Sequence, residues 1–363
     1  MKGLAAAGVL ASTLALHAAA PGPEDLLERA VRAEAAGKDE DAARDAARIV
    51  IESPASEAAP RAAGILGRVR LRQGDPGEAA WWFERAVTSG ARELAPLRAL
   101  AVRSLLRKEG MGGTWMALQD VTTTEVRRPV GLLRASSGTR AVLDGRAGSI
   151  VWIPSDGRAA PPSSLGEVQA AALRDDGKFV LASGAQVVLI DPAHPEAAVP
   201  FAGLGRFAPA AALTVDAAGI VWVAKGSRVG RLDAGASEPA LVLDGKGMRV
   251  EALAPLPPGR GIAVLDTRAG ALLSLQPDGK VEPLHALPWG ERGRPAAMAA
   301  DAAGQLAVLD GKSGEIVLLD TEGAVRDRLP APESGRDVAV ALFLDRDGAL
   351  EVVTEDGRLR RSP

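Results

Sequence analysis

The chain contains no cysteine, no tyrosine and no asparagine, and only three histidines. Without cysteine there are no disulfides, no thiolate metal sites and no lipid-modified cysteine anchor. Aromatic residues make up 3% of the chain, too few for the stacking platforms that hold single-stranded nucleic acid. A net charge of −3 adds nothing toward nucleic acid or an anionic membrane as partner. His17, His194 and His285 have no neighbouring ligand at metal spacing. Phosphate motifs fail as well: Gly311-Lys312-Ser313 has Leu306 where the upstream glycine of a P-loop belongs. No G-x-S-x-G elbow is present.

Long hydrophobic runs are missing with one exception. GLAAAGVLASTLAL (3–16) is uncharged over 14 residues, follows Lys2, and precedes Ala18 and Ala20 in an A-x-A arrangement. It is too short for a comfortable membrane span. Its layout is that of a secretory signal peptide over residues 1–20, an uncleaved helix being the alternative. The mature chain is therefore expected to be exported, periplasmic or secreted, with no stable membrane insertion after cleavage.

What is present falls into two parts. Residues 21–110 are rich in Ala, Arg, Glu and Leu, with apolar positions recurring every three or four. Gly37, Gly74, Gly90 and Gly110 stand where helices should stop, and Asp39, Ser56 and Asp75 near starts. About five helices in antiparallel pairs are expected. Leu66, Gly67, Ala79, Phe83 and Ala86 fall at a spacing that resembles the tetratricopeptide repeat, and Ala42, Ala46, Ile49 and Pro54 match the second helix of an earlier one. The resemblance implies a groove that binds protein segments; a purely structural helical stack is the alternative. Of the adjacent Trp81 and Trp82, one should face the core; the other is expected at the contact with the neighbouring domain, exposure for a partner being the alternative.

The remainder, 111–363, repeats itself. AVLDGRAGSIVWIP (141–154), AVLDTRAGALLSLQ (263–276) and AVLDGKSGEIVLLD (307–320) read alike. Turn glycines at 138, 177, 219, 259, 304 and 348 are spaced 39, 42, 40, 45 and 44 residues apart. Each lies between two short apolar runs, and a third run follows. Runs of four to six residues bounded by Asp-Gly or Ala-Gly turns are strands. Four-stranded units of this period predict a six-bladed β-propeller. The last unit lacks a fourth strand, and residues 114–126, rich in Val and Thr, are expected to supply it and close the ring. The rhythm of DAAGQLAVLD (301–310) resembles the NHL, streptogramin-lyase-like and gluconolactonase-like propellers, a likeness that specifies fold and leaves function open.

The expected fold class is therefore a short tetratricopeptide-like α-helical array followed by an all-β six-bladed propeller closed by an N-terminal strand. Five arginines, Arg128, Arg206, Arg249, Arg294 and Arg336, precede inner strands and are candidates for a cationic rim suited to carboxylate or phosphate groups. Glu167, Glu251 and Asp337 lie near inner-strand starts. The gluconolactonase-like resemblance implies a divalent metal at such a mouth, so these three are the candidate Ca²⁺ ligands. The leading expectation is an exported, non-catalytic scaffold binding protein partners of the cell envelope, without cofactor and without nucleic acid. A metal-dependent propeller hydrolase or lactonase, and a small-anion or glycan binder at the arginine rim, are the alternatives.

Overall fold

The computed structural model describes residues 21–109, 115–120, 126–135, 137–154, 167–289, 294–301, 304–320, 323–332, 339–345 and 348–362. The expected signal peptide lies outside them. Five helices come first: α1 (Pro23–Ala35), α2 (Asp39–Glu52), α3 (Ala58–Arg72), α4 (Pro76–Thr88) and α5 (Ala95–Lys108). Gly37, Gly74 and Gly90 follow helices with φ of 70°, 76° and 111°, a region where side-chain-bearing residues are strained. Asp75 caps α4 by accepting the Glu78 N–H at 3.1 Å. The helices pack through alanine faces, with Ala42, Ala46, Ala62 and Ala86 fully buried. A Cβ on Gly67 would stand 2.7 Å from the Phe83 ring, so the glycine is what lets α3 and α4 approach.

Six antiparallel sheets follow. Blade 1 has β2 (Pro129–Arg134), β3 (Arg140–Asp144) and β4 (Ser149–Ile153) among the described residues. Blade 2 has β5 (Val168–Leu173), β6 (Phe179–Ser183), β7 (Gln186–Asp191) and β8 (His194–Gly203). Blade 3 has β9 (Ala212–Val215), β10 (Val221–Lys225), β11 (Arg228–Leu232) and β12 (Ala240–Asp244). Blade 4 has β13 (Val250–Pro255), β14 (Ile262–Asp266), β15 (Ala271–Leu275) and β16 (Val281–Ala286). Blade 5 has β17 (Pro295–Ala300), β18 (Leu306–Asp310), β19 (Ile316–Leu319) and β20 (Val325–Leu329). Blade 6 has β21 (Ala339–Leu344), β22 (Leu350–Thr354) and β23 (Arg358–Ser362), and its fourth strand is β1 (Met116–Asp120), from the N-terminal side. Met116 pairs with Arg361 and Asp120 with Arg358. The strap expected over 114–126 is thus formed by 116–120.

Alternate residues of each strand point to opposite faces, and here both faces are buried. Val142 of β3 joins a core shared with blade 6, whereas Ala141 and Leu143 join one shared with blade 2. An apolar cluster fills each of the six blade interfaces, so the ring has six cores rather than one. At the seam between first and last blades, the fully buried Glu351 carboxylate accepts two bonds from Arg140, at 2.7 and 2.8 Å.

The helical array is joined to the propeller by α5. Arg103, 4% exposed, pairs with Asp327 of β20 at 3.2 Å and donates to the Gly348 carbonyl at 3.0 Å. Arg107 also reaches the Asp327 carboxylate. A Cβ on Gly348 would stand 2.5 Å from the Pro96 backbone. The expected interdomain role of the tryptophan pair is not what forms: Trp82 packs against the helical core, Trp81 is 54% exposed, and the contact falls to α5. The reason is the order of elements, because α5 lies next to the strap in the chain and reaches blades 5 and 6 first.

Candidate functional site

The first strands of the six blades, β2, β5, β9, β13, β17 and β21, are neighbours in a closed ring around a central channel. The channel encloses about 520 Å³. Its wall is mostly alanine and aliphatic, for example Ala171, Ala212, Ala252, Ala297, Ala341 and Leu342. Small side chains are what the convergence of six sheets at the axis permits.

Strand direction alternates within a blade, so inner-strand starts and the turns between second and third strands share one end of the propeller. In blade 1, the Gly145 N–H bonds the Arg128 carbonyl at 2.9 Å; Thr267 bonds Arg249 at 2.9 Å and Gly311 bonds Arg294 at 2.8 Å. The first turn of blade 6, with Gly348 docked on α5, is at the opposite end.

The repeated A-V-L-D has its explanation at this mouth. Asp144, Asp266 and Asp310 are buried to 5% exposure or less. Each collects backbone N–H groups from two places. Asp144 accepts from Arg127, Arg128, Arg146 and Ala147. Asp266 accepts from Arg249, Arg268 and Ala269. Asp310 accepts from Arg294, Lys312 and Ser313, and from the Ser313 hydroxyl. One carboxylate thereby ties an inner-strand start to the following turn. Burial, the largest single influence, pushes the Asp144 carboxyl up, but its backbone N–H partners together hold it below the ordinary range. Asp310 is likewise held low against burial, first by the Ser313 hydroxyl and then by backbone N–H groups.

The five candidate arginines separate on this geometry. Arg128, Arg249 and Arg294 occupy one equivalent position in blades 1, 4 and 5, each donating its N–H to the buried aspartate. All three are exposed. Arg128 Nη2 donates to the Gly145 carbonyl at 3.0 Å, and Arg249 Nε pairs with Glu251 at 2.5 Å. Arg206 is not equivalent: it lies on a 3₁₀ turn, Gly205–Phe207, with its guanidinium 5.7 Å from the Phe207 ring. In blade 3 the aspartate position holds Lys225, which donates to the Ala208 carbonyl instead. Arg336 and Asp337 lie outside the described residues.

Of the candidate carboxylates, Glu167 is exposed and occupies in blade 2 the place that Arg128 has in blade 1, its carbonyl accepting from Gly184 at 2.9 Å. Glu251 is the second residue of β13, lines the channel, and is engaged by Arg249. Among the described residues no three histidine, aspartate or glutamate side chains gather at metal-binding distance. Sequence reasoning overlooked Arg146, Arg268 and Lys312, exposed residues of the second-to-third-strand turns. The signal was in the repeat itself, as the basic residue two places after each aspartate in DGRAG, DTRAG and DGKSG.

No protein-family model matches the chain, and no curated protein matches it in sequence. Among solved structures it is similar to regucalcin, a calcium-binding protein from Agrobacterium tumefaciens, at 16% identity over 69% of this chain and 94% of that one, with a TM-score of 0.56. It is similar to a gluconolactonase from Xanthomonas campestris at 17% identity over 68% and 89%, TM-score 0.54. It is also similar to a streptogramin B lyase at 12% identity over 68% and 97%, TM-score 0.53. At such identities the likeness shows the propeller fold alone.

Proposed function

We propose that the protein is an exported, non-catalytic binding protein that holds protein segments of the cell envelope on its helical array and propeller. The observation that carries this is the buried Arg103–Asp327 pair, which fixes a helical array to the ring as one body. The array resembles tetratricopeptide repeats in its Gly67–Phe83 packing, and such arrays present a surface for peptide segments. Trp81 stands exposed on that array with the Arg85 guanidinium 5.8 Å from its ring, the residue types that anchor protein interfaces. The test is capture from the native envelope fraction with the full chain, beside Trp81→Ala/Arg85→Ala. Specific proteins retained by the parent and depleted in the variant are expected. Failure of both to retain any protein overturns the proposal.

A second reading, a propeller hydrolase or lactonase with Ca²⁺ at the mouth, draws on the fold shared with a gluconolactonase and a calcium-binding protein and on Glu251 in the channel wall. Calorimetric titration with Ca²⁺ decides it: a stoichiometric site lost in Glu251→Gln supports this reading, and absence of binding removes it.

A further inference from the structure

We infer that the mouth bearing the inner-strand starts binds an extended acidic polypeptide segment that carries aliphatic side chains. This deepens the protein-binding reading by naming the chemistry of the partner. The inference rests on a regularity in three blades. Each buried aspartate fixes the backbone of two basic residues: Arg128 and Arg146 in blade 1, Arg249 and Arg268 in blade 4, Arg294 and Lys312 in blade 5. All six are exposed. The turns are held mainly by main-chain N–H groups; of the six side chains, the Arg128 guanidinium adds one bond, to the Gly145 carbonyl at 3.0 Å. Six cations are thereby presented at one end of a chain whose net charge is −3.

Among the described residues, the carboxylates engaged at this end include Glu251 with Arg249, Glu315 with Arg328 and the Trp289 indole, Asp244 with Arg228, and Asp356 with Arg358. Glu167 in blade 2 and Glu355 in blade 6 interrupt the cationic arc. Blades 4 and 5 are adjacent, and blade 1 follows across blade 6. A small anion would meet one basic pair, whereas an extended polyanion meets several, which is how separated charges combine into useful affinity.

The occupant is narrowed by what lies between the charges. Val130 is 41% exposed beside Gly145, and Val340, Ala211 and Ala296 line the channel at the same end. Apolar wall beside fixed cations fits a segment with both carboxylates and aliphatic groups better than a sugar or phosphate polymer. The docking of α5 at the opposite end leaves it away from this mouth.

The test uses fluorescence anisotropy of the full chain with a labelled peptide of repeating Glu-Glu-Leu, poly-Glu and polyphosphate. Binding of the Glu-Glu-Leu peptide that weakens as salt is raised is expected. It should exceed binding of poly-Glu and polyphosphate. Arg146→Gln/Arg268→Gln/Lys312→Gln should weaken it by about tenfold, while Arg61→Gln/Arg92→Gln on the helices should not. Absence of peptide binding, unchanged binding in the triple variant, or tighter binding of polyphosphate overturns the inference. The capture experiment with Trp81→Ala/Arg85→Ala reads the helical surface separately, so failure here leaves that result standing.

Discussion

Replacing Asp327 by alanine should cost the protein more than almost any other single change at its domain junction. The Arg103 side chain is 4% exposed and the Asp327 side chain 1% exposed. Burial pushes Arg103 below its ordinary value and the Asp327 charge opposes this, yet a guanidinium stays charged at any working pH. Asp327→Ala would therefore leave a cation in a dry interface without its carboxylate partner, the Gly348 carbonyl still accepting at 3.0 Å. Removing one partner of a buried pair costs about 3–5 kcal/mol, whereas replacing both with apolar groups of similar volume is close to neutral. Asp327→Leu/Arg103→Met should accordingly recover most of the loss. Urea unfolding followed by tryptophan fluorescence, which reports both Trp82 in the array and Trp222 in blade 3, measures each variant. The single change should lower the midpoint and separate the two domains' transitions. A loss below about 1 kcal/mol for Asp327→Ala, or a double variant worse than the single, would refute the claim that this pair couples the domains.

Gly67→Ala should destabilise, since the new Cβ would lie 2.7 Å from the Phe83 ring; an overpacking cost of about 1–3 kcal/mol outweighs a helix-propensity gain of up to about 1 kcal/mol, and a raised melting temperature would contradict this. Asp266→Ala removes the acceptor of three backbone N–H groups in blade 4 and should cost about 2 kcal/mol, read by thermal unfolding. Acid should unfold the propeller through Asp144 and Asp310. Both carboxyls lie below 3.8 in the folded state, so folding favours the ionised form. The stability they contribute is complete well above pH 3.8 and falls away as pH drops through the lower folded value. A circular-dichroism melt series that shows no loss below that pH in the parent chain would contradict the assignment.

Much of this was legible from residue order because it is encoded within a few residues. A glycine at positive φ after α1, α3 and α4, alternation within short strands, and a turn every forty-odd residues are local properties. The six blades, their third strands and the strap into blade 6 follow from them. The Gly67–Phe83 contact was legible through the resemblance of Leu66, Gly67, Ala79, Phe83 and Ala86 to the tetratricopeptide spacing, which implies a small residue of one helix packed against a large one of the next. The arginine positions show where this ended. In blades 1, 2, 4, 5 and 6 the inner strand begins with a register shift against its partner. Blade 3 has none, Lys225 replaces the aspartate, and Arg206 sits in a 3₁₀ turn well before β9, which begins at Ala212, so preceding an inner strand in the sequence does not make it equivalent to the other three. The basic turn residues Arg146, Arg268 and Lys312 were in plain view, but their meaning depends on sharing an aspartate with residues some seventeen positions away.

The repeat, the six-fold count and the need for a borrowed strand can be read from residue order, since each rests on turn chemistry and period-two patterning that need no distant partner. Which charges share a mouth, and which element joins the domains, is set by the folded arrangement. Arg103 meets Asp327 across 224 residues, and Arg140 meets Glu351 across 211. Such pairs exist only once the ring has closed, because closure brings together elements that no local pattern connects.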